Sequence, residues 1–169
     1  MRLLIINPGA TSTKIAVYED ETEAFSSSIS HAQPELAGFA RVVDQLPLRE
    51  RLVREALRQA GFSPASFDAV CSRGGLVRHI PSGTYVIDDQ VIHDIYNPPF
   101  GEHASSLGPL IARSIADEAK IPALLVDPVS VDELQPVARI SGLAGMERES
   151  FFHALNQKAV ARKAAGDLG

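Results

Sequence analysis

The sequence predicts an α/β fold: a mixed β-sheet that opens as a three-strand meander and carries helices on its faces. Short apolar runs at Leu3–Ile6 and Ile15–Tyr18 flank a turn rich in Gly, Ser and Thr. Helical spacing takes over from about residue 48, and strand-like and helix-like segments then alternate to the end of the chain.

Each element has its own signal. Leu3–Ile6 and Ile15–Tyr18 read as tightly joined, paired strands. Asp20 and Glu21 make the second turn, and Ala24, Phe25 and Ile29 lie in a third strand with serines between them. Leu48, Leu52, Val53, Ala56, Leu57 and Ala60 share one helical face, with Pro47 at a favoured entry position and Gly61 as the stop. Phe67–Ser72 reads as the fourth strand and Thr84–Ile87 as a short one. Asp88 is placed to cap a helix carrying Val91, Ile92 and Ile95, which Asn97–Pro99 ends. A longer helix follows with Leu107, Leu110, Ile111, Ile115 and Ala119 as its buried stripe, and Ile121–Val126 is a compact apolar run suited to a strand buried on both faces. The last segment, from about Glu147 to Ala165, spaces Phe151, Leu155, Ala159 and Val160 as a helix would before Gly166. The order is not that of a plain Rossmann fold.

Composition narrows the function. The chain has 169 residues, enough for one domain with a core, and its 45% hydrophobic content excludes a disordered tail. A net charge of −5 and the lack of any Lys/Arg run argue against nucleic acid as a partner. The single cysteine, Cys71, leaves neither a disulfide framework nor a CxxC metal set, so a reducing compartment, the cytoplasm, is expected. Asn7, Pro8 and Gly9 interrupt MRLLIIN before it could serve as a signal-peptide core, and no run of about eighteen apolar residues offers a membrane span.

The first turn, NPGATSTK from Asn7 to Lys14, sets a glycine, three hydroxyl side chains and several N–H groups at a tight bend that can cradle phosphate oxygens. Gly9, Thr11, Ser12 and Thr13 are its candidate nucleotide-phosphate contacts. The spacing is not that of a P-loop, and by itself the octapeptide would pass for an ordinary hairpin turn. Arg73 follows a strand and precedes two glycines, where a guanidinium can emerge into a cleft and meet planar or trigonal oxygens with two bonds; Arg78 is a weaker rival. Asp127 stands directly after an apolar strand, at the carboxyl end where open sheets place ligands, and could hold Mg²⁺ through water or orient an acceptor. Asp132 and Glu133 read as solvated charges at a helix start. His31, His79 and His93 show no metal-ligand spacing.

Taken in order, NPGATSTKIAVYEDE, SRGGLVRHIPSGTYVIDD, NPPFGEHASSLGPLIA, IPALLVDPVSVDEL and ARISGLAGMERESFFHALNQKAVAR span nearly the whole chain and resemble the acetate and butyrate kinases, most closely the butyrate kinases. The resemblance implies an actin-like, ribonuclease H-like ATPase lobe, with residues 1–169 as the N-terminal lobe and the second lobe lying outside them. It implies ATP and ADP, Mg²⁺, a short-chain carboxylate and its acyl phosphate, and a homo-oligomer in the complete enzyme. By resemblance Asp127 matches the active-site aspartate, His153 a histidine that contacts the transferring phosphoryl group, and Asn7 an asparagine that bonds a phosphate oxygen or supports Asp127. Acetate kinases carry a second active-site histidine near a His-Asn-Pro stretch. Here Tyr96 precedes Asn97 and Pro98, which leaves Tyr96, His103 or neither for that task. Two other readings remain: a sugar or glycerol kinase lobe of the same superfamily, and a non-catalytic module that binds nucleotide or phosphate.

Overall fold

The computed structural model describes residues 1–169, and its first three strands, β1 (Arg2–Pro8), β2 (Ser12–Glu19) and β3 (Thr22–Ser30), form the antiparallel meander. A short helix α1 (Gln33–Leu36) and a 3₁₀ turn (Val42–Gln45) lead into α2 (Leu46–Gln59), then β4 (Ala69–Arg73), β5 (Thr84–Val86) and α3 (Asp89–Tyr96). A second 3₁₀ turn (Ala104–Ser106) runs into α4 (Leu107–Ala119), followed by β6 (Ala123–Val126) and, after a long irregular segment, α5 (Ala154–Leu168). The six strands lie in the order β3-β2-β1-β4-β6-β5. β1, β4 and β6 are mutually parallel, so their carboxyl ends meet at one edge, whereas β5 runs antiparallel to β6.

The sequence signals act locally as the chemistry requires. Asp88 accepts from the N–H groups of Gln90 and Val91 at 3.0 Å and caps α3. Gly61 takes φ +83, a conformation that costs a residue without a Cβ little, and ends α2. Leu4, Ile6, Ile15 and Val17 point from β1 and β2 toward α2 and α4 and merge with Val53, Leu57, Leu107, Ile111 and Ile115 in one apolar core. On the opposite sheet face Leu3, Ile5, Ala16, Leu124 and Val126 are only half-buried, so β6 is not enclosed on both faces as its apolar run suggests.

The last helix differs most from expectation. It begins at Ala154 rather than near Glu147, and it continues through Gly166 to Leu168. Phe151 lies outside it, stacked edge-on against Phe100 at 5.0 Å between ring centres and close to His79. The helix starts where the Asp127 carboxylate accepts the Leu155 N–H at 2.9 Å, which supplies the missing cap from a distance. Gly166 does not stop it, since a glycine in an exposed helix costs only about 1 kcal/mol.

One glycine sets how closely α4 approaches the strand ends. A Cβ at Gly108 would sit on the Ser72 hydroxyl and 3.0 Å from Pro8 Cδ. Gly108→Ala is therefore expected to destabilise the fold by about 1–3 kcal/mol through overpacking, read as a lower denaturant midpoint. Gly166→Ala, with nothing within 4 Å, is expected to raise stability by about 0.5–1 kcal/mol and the midpoint with it, and equal effects at the two positions would contradict this packing.

Candidate active site

Three parallel strand ends build the site. Arg73 is the last residue of β4 and pairs in register with Val126, so Asp127 emerges directly beside it. Asp127 is 3% exposed and sits at φ +53, a left-handed corner that aspartate tolerates better than most residues. That corner brings its backbone carbonyl and its carboxylate to the same ring, that of His153. The backbone carbonyl accepts from His153 Nδ1 at 2.9 Å, while Oδ2 lies 3.2 Å from the same nitrogen and 3.6 Å from Arg73 Nη2. Neither approach to Oδ2 has hydrogen-bond geometry, so this buried oxygen keeps its lone pairs free among positive neighbours. Because a carbonyl can only accept, Nδ1 of His153 carries a proton.

The loop after Arg73 is fixed from α4's side. Gly75 N–H donates to Ser105 Oγ at 3.2 Å and Leu76 N–H to Ser106 Oγ at 3.1 Å. Gly74, at φ +87, leaves room for both Ser105 and the His153 ring, whose Cε1 would lie 3.8 Å from a Cβ there. His103 joins this group through Ser105: its Nδ1 accepts the Ser105 N–H at 3.2 Å and lies 2.8 Å from the hydroxyl. The neutral His103 ring therefore carries its proton on the outward Nε2. Tyr96 ends α3 with an exposed side chain, and its carbonyl is taken by Arg41.

Asn7 occupies the next strand end, in register with Lys14, and lines a shallow groove of about 410 Å³ with Ile5, Ala16, Tyr18 and Ser28. The neighbouring turn holds Gly9, Thr11 and Ser12. Thr13 faces the other way: it is fully buried under α2, with its hydroxyl 2.8 Å from His31 Nε2 and 3.3 Å from Arg49 Nη1. Burial in the first place, and then the nearby Arg49, push the His31 pKa down, so this ring is neutral at physiological pH. Arg49 itself is 0% exposed, and burial alone draws its pKa down, because no acidic group faces it. Its guanidinium donates to the carbonyls of Gly9 at 2.8 Å and Ala10 at 3.0 Å.

The sequence expectations thus separate. Arg73, Asp127 and His153 come together, Asn7 and the Gly9–Ser12 turn lie along the same sheet edge, and Thr13 can reach a ligand there only through its backbone. Neither Asp132 nor Glu133 starts a helix: the Asp132 side chain is buried in a two-bond pair with Arg139, while Glu133 is exposed, as expected, and holds Ser82 and Lys158. Arg78 is turned away, making three bonds to Asp94. Arg49, Ser105 and Ser106 were not singled out by sequence; the one available signal for Arg49 was its place four residues before Val53 in the α2 stripe.

For a divalent cation the donor set is narrow. No cluster of three or more His, Cys, Asp or Glu side chains is grouped to hold a metal, and Asp127 Oδ2, though without a hydrogen bond, is buried. No helix is long and apolar enough to cross a membrane.

No protein-family model matches the chain. Among solved structures, acetate kinase from Entamoeba histolytica superposes with a TM-score of 0.66 at 14% identity, over 98% of this chain and 47% of that one. Acetate kinase from Porphyromonas gingivalis gives 0.65 at 15% identity, over 99% and 49%, and a propionate kinase from Francisella tularensis gives 0.64 at 12% identity, over 99% and 49%. The chain spans about half the length of each. These likenesses show the fold: the sheet order and its meander are those of a ribonuclease H-like, actin-like lobe.

The pairing of Arg78 generates a prediction about stability. The Arg78 guanidinium beside Asp94 holds that carboxyl down at about 2, against an ordinary 3.8. A depressed carboxyl contributes stability that is complete above its unfolded pKa and is lost as pH falls through the folded one, here from about pH 4 to pH 2. Because Arg78 is half-exposed, solvent screens the pair and its contribution is modest. Arg78→Gln is expected to remove most of that and flatten acid unfolding within this window; an unchanged acid limb would contradict the pairing.

Proposed function

We propose that this chain is the phosphate-handling lobe of a short-chain acyl kinase, which moves a phosphoryl group between ATP and a carboxylate to give ADP and an acyl phosphate. The observation that carries the proposal is the convergence of Arg73 and His153 on Asp127 at the carboxyl ends of parallel strands. Two of the like-folded proteins are acetate kinases and one is a propionate kinase, and both names denote a short carboxylate acceptor. Sequence resemblance narrows the acceptor to butyrate, with branched acids as neighbours. A second lobe supplies the rest of the cleft and excludes water.

In this reading each residue has a bounded task. The Arg73 guanidinium spans the planar oxygens of a carboxylate or of a phosphoryl group in flight. Asp127 places Arg73 and His153 side by side, and a hydrated Mg²⁺ carried by the phosphates, which when bound would neutralise their charge, would meet its carboxylate through water. The Gly9–Ser12 turn offers backbone N–H groups to phosphate oxygens, with Asn7 beside it. A carboxylate acceptor is already ionised at neutral pH, so no general base is needed. His153 acts as a donor. Its Nδ1 proton is spent on the Asp127 carbonyl, so an Nε2–H for the phosphoryl group requires the doubly protonated ring.

Trapping acyl phosphate as hydroxamate tests the proposal, using a two-lobed protein that carries this chain, Mg-ATP and a panel of acetate, butyrate, isobutyrate and glycerol. Butyrate is expected to give the largest signal, and the 169-residue chain alone none. ADP release with glycerol and not with any acid would overturn the reading. So would nucleotide binding with no turnover on the panel.

Arg73→Ala in that protein is expected to lower turnover by roughly two orders of magnitude with little change in stability. A near wild-type rate would remove Arg73 from the site. His153→Gln is expected to keep more activity than His153→Ala. Equal and complete loss in both variants would contradict the donor role.

A further inference from the structure

Arg49 is the one buried arginine, and the structure gives it no carboxylate. Half-buried Arg2, Arg54, Arg73, Arg113 and Arg139 each face an acid within 4.0 Å, whereas Arg49 has only neutral acceptors: Gln45 Oε1 at 2.9 and 3.0 Å, the carbonyls of Gly9 and Ala10, and, at longer range, the Ser12 carbonyl and the Thr13 hydroxyl. A buried cation without a counter-charge is costly, and a protein tolerates it where something offsets it.

What it does to the turn follows from peptide geometry. In a trans peptide the C=O and the N–H of the next residue point in opposite directions. The carbonyl of Gly9 belongs to the same peptide unit as the Ala10 N–H, and the carbonyl of Ala10 to that of Thr11. Both carbonyls are drawn in toward Arg49, so both N–H groups face outward, where Ala10 and Thr11 are exposed and donate to no protein acceptor. The remaining inward groups are also engaged, Gly9 N–H to Ser12 O at 2.7 Å and Thr11 O to His31 N–H at 2.9 Å. Two aligned peptide dipoles with a full positive charge behind them have the polarity of a helix N-terminus, with more charge.

We infer that Arg49 is a positioning residue for an oxyanion bound at the Ala10 and Thr11 N–H groups: it orients those two peptide units and sets an uncompensated positive charge behind them. The anion's charge is the missing partner of the buried guanidinium. The class of ligand is a phosphate oxygen, and the inference rests on the phosphate-handling reading of this turn.

Amide NMR on the ¹⁵N-labelled chain, titrated with inorganic phosphate against chloride at matched ionic strength, tests it. The Ala10 and Thr11 amides are expected to shift saturably with phosphate and not with chloride. Arg49→Lys, which keeps the charge, is expected to retain most of the affinity, while Arg49→Met loses about tenfold or more with the β1 and β4 amides unmoved. Should the Met variant not fold, Arg49→Gln takes its place as the neutral variant. Phosphate affinity in the neutral variant within about twofold of wild type would overturn the inference for Arg49 and leave the turn as a phosphate site. Equal losses in the Lys and neutral variants would reduce Arg49 to a structural tie and overturn it as well. No response of the wild-type amides to phosphate would sink the phosphate-handling reading of the turn itself, and this inference with it.

Discussion

The carboxylate of Asp127 is buried at the end of β6 and ties together three parts of the chain that are far apart in sequence. Arg73 at the end of β4 lies 3.6 Å away, the His153 ring closes on its carbonyl and on Oδ2, and the Leu155 N–H binds Oδ1. The Leu155 N–H and the His153 ring hold the carboxylate itself, while Arg73, partly exposed and without a hydrogen bond to it, adds a screened attraction. The irregular segment before α5 and the start of α5 both depend on that anchor. The left-handed backbone at Asp127 lies at this same junction.

Behind this centre the fold works as a scaffold that aims polar groups outward by engaging their opposite ends inward. Arg49 takes turn carbonyls and frees the N–H groups beyond them. Ser105 and Ser106 take loop N–H groups at Gly75 and Leu76 and hold the stretch after Arg73, while Ser105 also fixes the His103 tautomer. Gly108 lets the first turn of α4 reach Pro8 and Ser72, which brings these serines up against the strand ends. The turn amides and the loop after Arg73 are consequently set by packing.

Much of this was legible in the sequence where a single physical signal dominated. Apolar runs and turn residues gave the meander, the i, i+4 stripes gave α2 and α4, and Asp88 and Gly61 marked ends that the backbone honours. Arg73 and Asp127 stood out because each follows a buried strand. What stayed hidden depended on tertiary partners. Arg49 continues the stripe of Val53 and Leu57, yet a charge on an apolar stripe reads as solvated until the carbonyls it meets are seen. The start of α5 was misplaced because its cap comes from Asp127, 28 residues away in sequence. Asp132 looked like a helix-start charge because its real partner, Arg139, lies across an irregular loop with no periodicity to announce it.

The central claim is that Arg73 and His153, held by Asp127, receive a phosphoryl group on its way to or from a carboxylate. The most direct measurement is a crystal structure of a two-lobed protein carrying this chain with Mg-ADP, butyrate and a trigonal metal fluoride, which mimics the phosphoryl plane. The account predicts fluorides within hydrogen-bonding distance of the Arg73 guanidinium and His153 Nε2, with the carboxylate oxygen apical and Asp127 reaching the metal through water. A fluoride plane bound with Arg73 and His153 both turned away from it, or one that forms equally well with water in place of the acid, would contradict the account.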